Sequence, residues 1–357
     1  MVAVQENQIR WMNDVGSKML DLPEGYLNTA FSKVGHYFGV IHLIEPPKKN
    51  NRNKILQIDI YTSSGEKRYS LNRNQYYDDS IPSIVISNLD GSVIMGKNSV
   101  GKLWFYREDG ELSKQVELFP DASYDLERIL HLDLSEDGAR LAVVASKRGA
   151  SHLGSEAPHP SGEPHLFLFT HNGDELWRKA LPDFNSSATA ISKNGDHIIA
   201  NSYTVDTQGN LQKQSLLFND NGERIASFDL LFKYAHFSPD SRFLILAENT
   251  KAHVVELSTG RTVWSDNVSR KQGMITAVRL ANNADVAVLL IAKNEFREGG
   301  FVFTNSRLRV LDRSGALHQD IAIKDEIFRK PALKLSPDHR HITVGFENSY
   351  RIYEANK

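Results

Sequence analysis

Two kinds of tight turn alternate along this chain without exception, and that alternation constrains its fold more than any other feature. Turns of the first kind read Ser32–Gly35, Asn88–Gly91, Ser135–Gly138 and Ser192–Gly195, with degenerate copies at Ser238–Ser241, Ala281–Ala284 and Ser336–His339. Turns of the second kind read Ser63–Gly65, Glu108–Gly110, His171–Gly173, Asp220–Gly222, Ser258–Gly260 and Arg313–Gly315. Ser, Asp and Asn cap their own backbone, Pro presets φ, and Gly accepts the left-handed conformation that ends such turns. An apolar or aromatic run precedes each turn of the second kind: Ile55–Tyr61, Leu103–Tyr106, Leu166–Phe169, Ser215–Phe218, His253–Leu257 and Leu308–Leu311. A more polar strand follows each one.

The order implies units of four antiparallel strands, A to D, with the two turn types closing the A–B and C–D hairpins. The repeat length is about 50 residues, which is the range of propeller blades. The expected fold is therefore all-β: a seven-bladed β-propeller with four strands per blade, forming one domain over residues 1–357. Six units are complete, and the seventh has only Ala332–Leu335, His341–Phe346 and Tyr350–Tyr353 before the chain ends. Gln8–Trp11 is similar to the D strands at Glu175–Trp177 and Thr262–Trp264, so the ring is expected to close by pairing an N-terminal strand with the C-terminal blade. Such closure leaves no long unprotected sheet edge.

Composition excludes several functions. A formal net charge of −2 provides no global basic field for nucleic acid or an anionic membrane. The absence of cysteine removes disulfides, thiol catalysis and thiolate zinc sites. The apolar stretch Val286–Ala292 is far shorter than the ~20 residues of a membrane helix. The first thirteen residues read as no signal peptide, and the compartment stays open. No cofactor is expected, and a monomer is the natural state of a closed ring.

The segments Phe237–Leu244 and Leu134–Leu141, each a strand end, a Ser-Pro/Glu-Asp turn and a strand start, resemble bacterial WD40-like repeats. Ser258–Trp264 and Asn172–Trp177 resemble the quinoprotein-like (PQQ-like) repeat, with Trp four residues after Gly, and Tyr69 takes that place after Gly65. The resemblance spans nearly the whole chain and implies a propeller. It does not imply a function. Quinoprotein dehydrogenases of this group commonly carry a vicinal cysteine pair, which this chain lacks.

The A–B and C–D turns are uniformly tight, whereas the B–C and D–A connections vary in length. Long B–C connections are expected at 45–53, 147–164, 204–212 and 293–300, and long D–A connections at 72–82 and 120–127. Extended loops on a rigid scaffold are where binding residues gather. The candidate partner-binding residues are Lys48, Lys49, Arg52, Tyr76, Tyr77, His152, His159 and Arg297. For the basic run, solvated side chains are the plainer reading. The same holds for His152, His159 and His165, whose spacing matches no metal-ligand pattern.

Gly96–Lys102 nearly spells a phosphate-binding loop, but Leu103 replaces the required Ser or Thr and a strand should follow where a helix is needed. A B–C hairpin is the better reading. Trp11, Trp177 and Trp264 fall at matching repeat positions and are expected to pack between neighbouring blades. No nucleophile-elbow or zinc-protease signature is present. The expected function is a non-catalytic scaffold for a protein partner. A propeller enzyme, or a ligand- or sugar-sensing module using a central channel lined by the A strands, remains the alternative.

Overall fold

The computed structural model describes residues 2–5, 8–13, 16–21, 23, 26–44, 53–76, 82–97, 101–120, 127–148, 162–183, 186–206, 208–297, 300–324, 332–336, 338–345 and 350–355. The recurrent serine explains the first kind of turn. In five of its copies the serine hydroxyl accepts a backbone N–H from five residues on: Tyr37 to Ser32, Arg140 to Ser135, His197 to Ser192, Phe243 to Ser238 and His341 to Ser336, at 2.9–3.0 Å. The same pairs are closed by the serine N–H donating to the partner's carbonyl. Side chain and backbone thus lock one hairpin end together. The degenerate copies keep the turn's backbone without glycine, since Ser241, Ala284 and His339 take left-handed φ of 54°, 57° and 61°.

The second kind of turn has its own signature. In all six copies the ladder slips by one residue just before the turn, between Ile60/Tyr61, Phe105/Tyr106, Leu168/Phe169, Leu217/Phe218, Val254/Val255 and Val310/Leu311. A short hairpin loop ending on a left-handed residue with a bulge has this geometry, which is why glycine recurs there.

These hairpins assemble into antiparallel meanders. The first has three strands, β1 (Val2–Gln5), β2 (Gln8–Asn13) and β3 (Gly16–Asp21). Next come β4 (Tyr26–Phe31), β5 (Tyr37–Leu43), β6 (Asn53–Thr62) and β7 (Lys67–Tyr76). The third comprises β8 (Ser83–Ile86), β9 (Val93–Lys97), β10 (Lys102–Tyr106) and β11 (Leu112–Glu117). The fourth comprises β12 (Glu127–Leu134), β13 (Arg140–Arg148), β14 (Gly162–Thr170) and β15 (Glu175–Ala180). The fifth is β16 (Thr189–Ile191), β17 (His197–Val205), β18 (Leu211–Asn219) and β19 (Arg224–Phe228). Then follow β20 (Tyr234–Phe237), β21 (Phe243–Ala247), β22 (Lys251–Glu256) and β23 (Arg261–Asn267). The seventh is β24 (Met274–Leu280), β25 (Ala287–Arg297), β26 (Gly300–Leu311) and β27 (Leu317–Ala322). The last has three strands, β28 (Ala332–Leu335), β29 (His341–Gly345) and β30 (Tyr350–Glu354).

The six four-stranded sheets and the C-terminal three-stranded sheet are the seven repeats that the turns predict. The N-terminal sheet was not foreseen. Gln8–Trp11, read from sequence as a closing D strand, lies in β2, which pairs with β1 on one side and β3 on the other. Both hydrogen-bonding edges of that strand are therefore used by the strands next to it in sequence.

The chain divides into two compact units, one of residues 1–213 and 220–222, the other of 214–219 and 223–357, with the boundary running along β18. Within each unit the cores lie between consecutive sheets. In the first, Phe38 and Val40 pack with Leu20 of the N-terminal sheet; Ile41, Leu56 and Ile58 pack with Met95 and Trp104 of the next; and Leu103 and Phe105 pack with Leu141, Val143, Phe167 and Phe169. In the second, Ile245, Val254 and Trp264 pack with Leu289 and Ile291, while Leu290 and Leu308 pack with Leu333, Ile342 and Val344. Each of these sheets therefore buries side chains against its neighbours, which makes strands such as Phe243–Ala247 apolar without alternation.

Candidate functional site

The seventh sheet carries a projection that defines the candidate site. Its B–C connection is a continuation of the ladder, although the sequence suggested a loop at 293–300. After a bulge between Ile291 and Lys293, pairing resumes at Lys293 with Thr304 and runs to Arg297 with Gly300. Burial changes at the same place: Ala287–Ala292 are all buried, and of Lys293–Arg297 only Glu295 is even partly covered.

Two backbone features build the root of this ribbon. Opposite the bulge, Asn305 takes a left-handed φ of 50°. Beneath it, Gly273 sits at φ +128°, where a Cβ would lie 2.4 Å from the Ala292 carbonyl oxygen and 2.9 Å from the Lys293 nitrogen. Only glycine lets the bulged strand approach so closely.

Side chains stiffen the tip. Arg297 donates to one Glu295 oxygen at 2.8 Å and the Thr304 hydroxyl to the other at 2.9 Å, so the clamp crosses the ladder. These two hydrogen bonds, first from Arg297 and then from Thr304, hold the Glu295 carboxyl below its usual range. Phe296, between the clamp residues in sequence, is 76% exposed. A large aromatic and an arginine on a braced hairpin are the residue types that dominate interface energetics.

Of the residues singled out from sequence, Arg297 is thus placed on the projecting ribbon. Tyr76 ends β7 opposite Asn53. Lys48, Lys49, Arg52, Tyr77, His152 and His159 lie outside the described residues. The fourth sheet also extends its B–C hairpin, pairing Arg148 with Gly162, where a loop was expected from residue 147. His165 belongs to that ladder. Its ring lies 5.6 Å from Phe119 and 6.0 Å from Phe167, and its Nδ1 lies 3.0 Å from the Glu163 carbonyl. Packing accounts for it. Among the described residues no group of three or more His, Asp or Glu side chains is placed to hold a metal.

The phosphate-loop lookalike is a hairpin, since β9 pairs with β10 through Lys97 and Lys102 and no helix follows. Of the repeat tryptophans, Trp177 and Trp264 pack as expected, and the side chain of Trp11 lies outside the described residues. Trp177 lies against Gly222 and donates its Nε1–H to the Asp220 carbonyl at 2.7 Å, and Trp264 lies against Gly315. Phe296 escaped the sequence reading because a phenylalanine in an apolar-rich strand looks like core. The detectable signal was its neighbours, Lys293, Asn294, Glu295 and Arg297, which are too polar for a buried strand.

No protein-family model and no curated protein matches this sequence. Solved structures do resemble it. The C-terminal WD40 domain of Sif2 superposes with a TM-score of 0.57 at 12% identity, covering 98% of this chain and 90% of that one. The Dos1 propeller gives 0.48 at 14% identity, with 92% of each chain covered. Kuenenia stuttgartiensis hydrazine synthase gives 0.49 at 12%, covering 78% and 77%. No helix among the described residues is long and apolar enough to cross a membrane. Alternating turns, four-stranded meanders with cores between consecutive sheets, and the likeness to the Sif2 domain lead to one structural conclusion: the fold is a β-propeller.

Proposed function

We propose that this chain is a non-catalytic scaffold, one domain over residues 1–357, that binds a protein partner through the side carrying its B–C and D–A connections. The observation that carries the reading is Phe296, 76% exposed on a ribbon whose tip is clamped by Arg297, Glu295 and Thr304. A braced aromatic loses little conformational freedom on docking, so more of its burial energy remains for the complex. Lys48, Lys49, Arg52, Tyr76, Tyr77, His152 and His159 belong to the same proposed surface.

Cross-linking and pull-down with Phe296→Ala and Arg297→Glu test it. Truncating a central aromatic costs about 2 kcal/mol or more, so recovery of the partner should fall at least tenfold. Recovery unchanged by both variants and by charge reversal at Lys48 and Arg52 overturns the proposal.

Ring closure belongs to the same reading, supported by the three-stranded final sheet where the six complete repeats have four. The expected closure is an N-terminal strand pairing with the C-terminal blade. Because the chain has no cysteine, spin labels at engineered cysteines replacing Ser17 and Arg351 report it without background. A label separation within about 20 Å, a few strand spacings, is the expected result, and a much longer one refutes closure.

A further inference from the structure

The β25–β26 ribbon is one of three neighbouring connections in the second unit that the backbone ties into a single surface. The B–C turn between β21 and β22 is closed by the Glu248 N–H, which donates to the Lys251 carbonyl at 2.9 Å. From that turn the Asn249 carbonyl accepts the Ile275 N–H and the Thr250 carbonyl accepts the Val268 N–H, both at 2.7 Å. The D–A connection from Val268 to Ile275 is thus held against the turn at both ends. The same connection meets the ribbon root, where Gly273 lies against the backbone of Ala292 and Lys293. Arg309 of β26 braces it further, donating to Asp266 and to Gln272, each at 3.1 Å.

The side chains on this surface divide by sign. Segments 248–251, 266–273 and 291–297 contain five basic residues, Lys251, Arg270, Lys271, Lys293 and Arg297, against three acidic ones, Glu248, Asp266 and Glu295. The chain as a whole has a formal net charge of −2. All five basic residues are exposed, as is Phe296, whereas the three acids are each only partly exposed. The acids are also turned to bonds within the protein. Glu248 accepts the Leu231 N–H at 2.9 Å, Asp266 takes Arg309, and Glu295 takes Arg297 and Thr304. Exposed cations beside half-covered acids present a positive strip on a slightly acidic molecule.

We infer that this surface takes an acidic segment of the protein partner, an extended stretch whose carboxylates meet Lys251, Arg270, Lys271 and Lys293 and whose apolar side chain meets Phe296. The inference rests on the protein-binding reading above and adds the partner's chemistry. Complementary charge across such a contact steers the encounter and selects the partner. Each exposed ion pair is worth little alone, so several act together and the binding weakens with salt. A peptide fits better than a nucleic acid. Phosphates at every step would meet Glu295, beside Phe296, as well as the cations, and a run of bases needs a series of aromatic platforms, whereas Phe296 is a single ring.

The test is fluorescence anisotropy of the full chain with three fluorescein-labelled probes: a twelve-residue peptide repeating Glu-Glu-Leu, its Gln-Gln-Leu counterpart, and a twelve-nucleotide oligothymidylate. Wild type should bind the Glu peptide at least about tenfold more tightly than the Gln peptide at low salt, and the preference should shrink as sodium chloride rises past about 0.3 M. The double variant Lys271→Glu/Lys293→Glu should weaken Glu-peptide binding at least about tenfold. Arg261→Glu, an exposed reversal at the far end of β23, should change it by less than about twofold. Because these positions are exposed, each variant should melt within about 2 °C of wild type. No preference for the Glu peptide, tighter binding of the oligothymidylate, or an equal loss in Arg261→Glu overturns the acidic segment. Phe296→Ala separates the two readings. If it weakens Gln-peptide binding while the charge reversals change neither peptide, the acidic segment is overturned and the partner surface stands. If the reversals weaken Glu-peptide binding and Phe296→Ala does not, the acidic segment is supported and Phe296 is not its anchor.

Discussion

Replacing Gly315 by alanine isolates what holds one blade against the next. Gly315 has φ +83°, and a Cβ there would lie 2.8 Å from Trp264 Cγ, 3.0 Å from its Cβ and 3.1 Å from Cδ2. Gly209 provides a matched control, with φ +85° and nothing within 4 Å of a Cβ. Alanine at Gly209 should therefore cost only the left-handed backbone, about 1 kcal/mol. Alanine at Gly315 adds overpacking against a 7%-exposed indole that has no room to withdraw, a further 1–3 kcal/mol or about 2–4 in total. At roughly 2 °C per kcal/mol for a chain of this size, melting should fall about 2 °C for Gly209→Ala and about 4–8 °C for Gly315→Ala. Differential scanning fluorimetry measures both. A double-mutant cycle with Trp264→Ala then removes the opposing ring, and the Gly315 substitution should revert to the Gly209 cost. Equal losses for the two glycine variants, or an undiminished Gly315 cost in the Trp264→Ala background, would refute the packing argument.

Gly273→Ala should be worse than either, by about 3–5 kcal/mol in denaturant titration, because the obstructing atoms are backbone of Ala292 and Lys293 and cannot rotate away. A loss near 1 kcal/mol would mean the ribbon root is free to shift. Ser238→Ala strands the buried Phe243 N–H bond and should cost about 1–3 kcal/mol, whereas Ser314→Ala, in an exposed turn, should cost under about 0.5; equal costs contradict the turn mechanism. Burial works against ionisation of Asp59, but hydrogen bonds from Gln57, Lys67 and Ser70 outweigh it and hold its pKa below the ordinary value. A lowered folded pKa means the Asp59 contribution is intact above about pH 4 and lost as pH falls through the folded value. Asp59→Asn should flatten that acid limb in a melting-versus-pH series, and an unchanged limb assigns it to other carboxylates. His339→Gly, at φ 61°, should raise the melting temperature by about 1–2 °C, and a drop would show the imidazole doing more than occupying the turn.

The repeat was legible in the sequence because its causes are local. A serine capping the N–H five residues on, or a glycine closing a bulged hairpin, needs nothing beyond a short segment, so thirteen turns announced the strands between them. Trp177 and Trp264 were legible for the same reason, since a repeat position implies a repeated contact. Gln8–Trp11 was misread because similarity to a D strand says what a segment can pair with, and the partner actually used, β1 and β3, is chosen by proximity along the chain. The 293–300 segment was misread because polar residues signify exposure, and an exposed hairpin and an exposed loop have the same composition.

Function sits on the other side of this division. Nothing in the sequence links Lys251, Lys271 and Lys293, which are 20 and 22 residues apart and carry no common motif. Only backbone contacts between separate connections bring them to one surface. The amino-acid order alone determined where this chain turns and how many times it repeats, because turn chemistry is short-ranged. The tertiary structure decided which distant residues share one surface and which ribbon stays exposed, because packing and burial act through space and take no account of the distance along the chain.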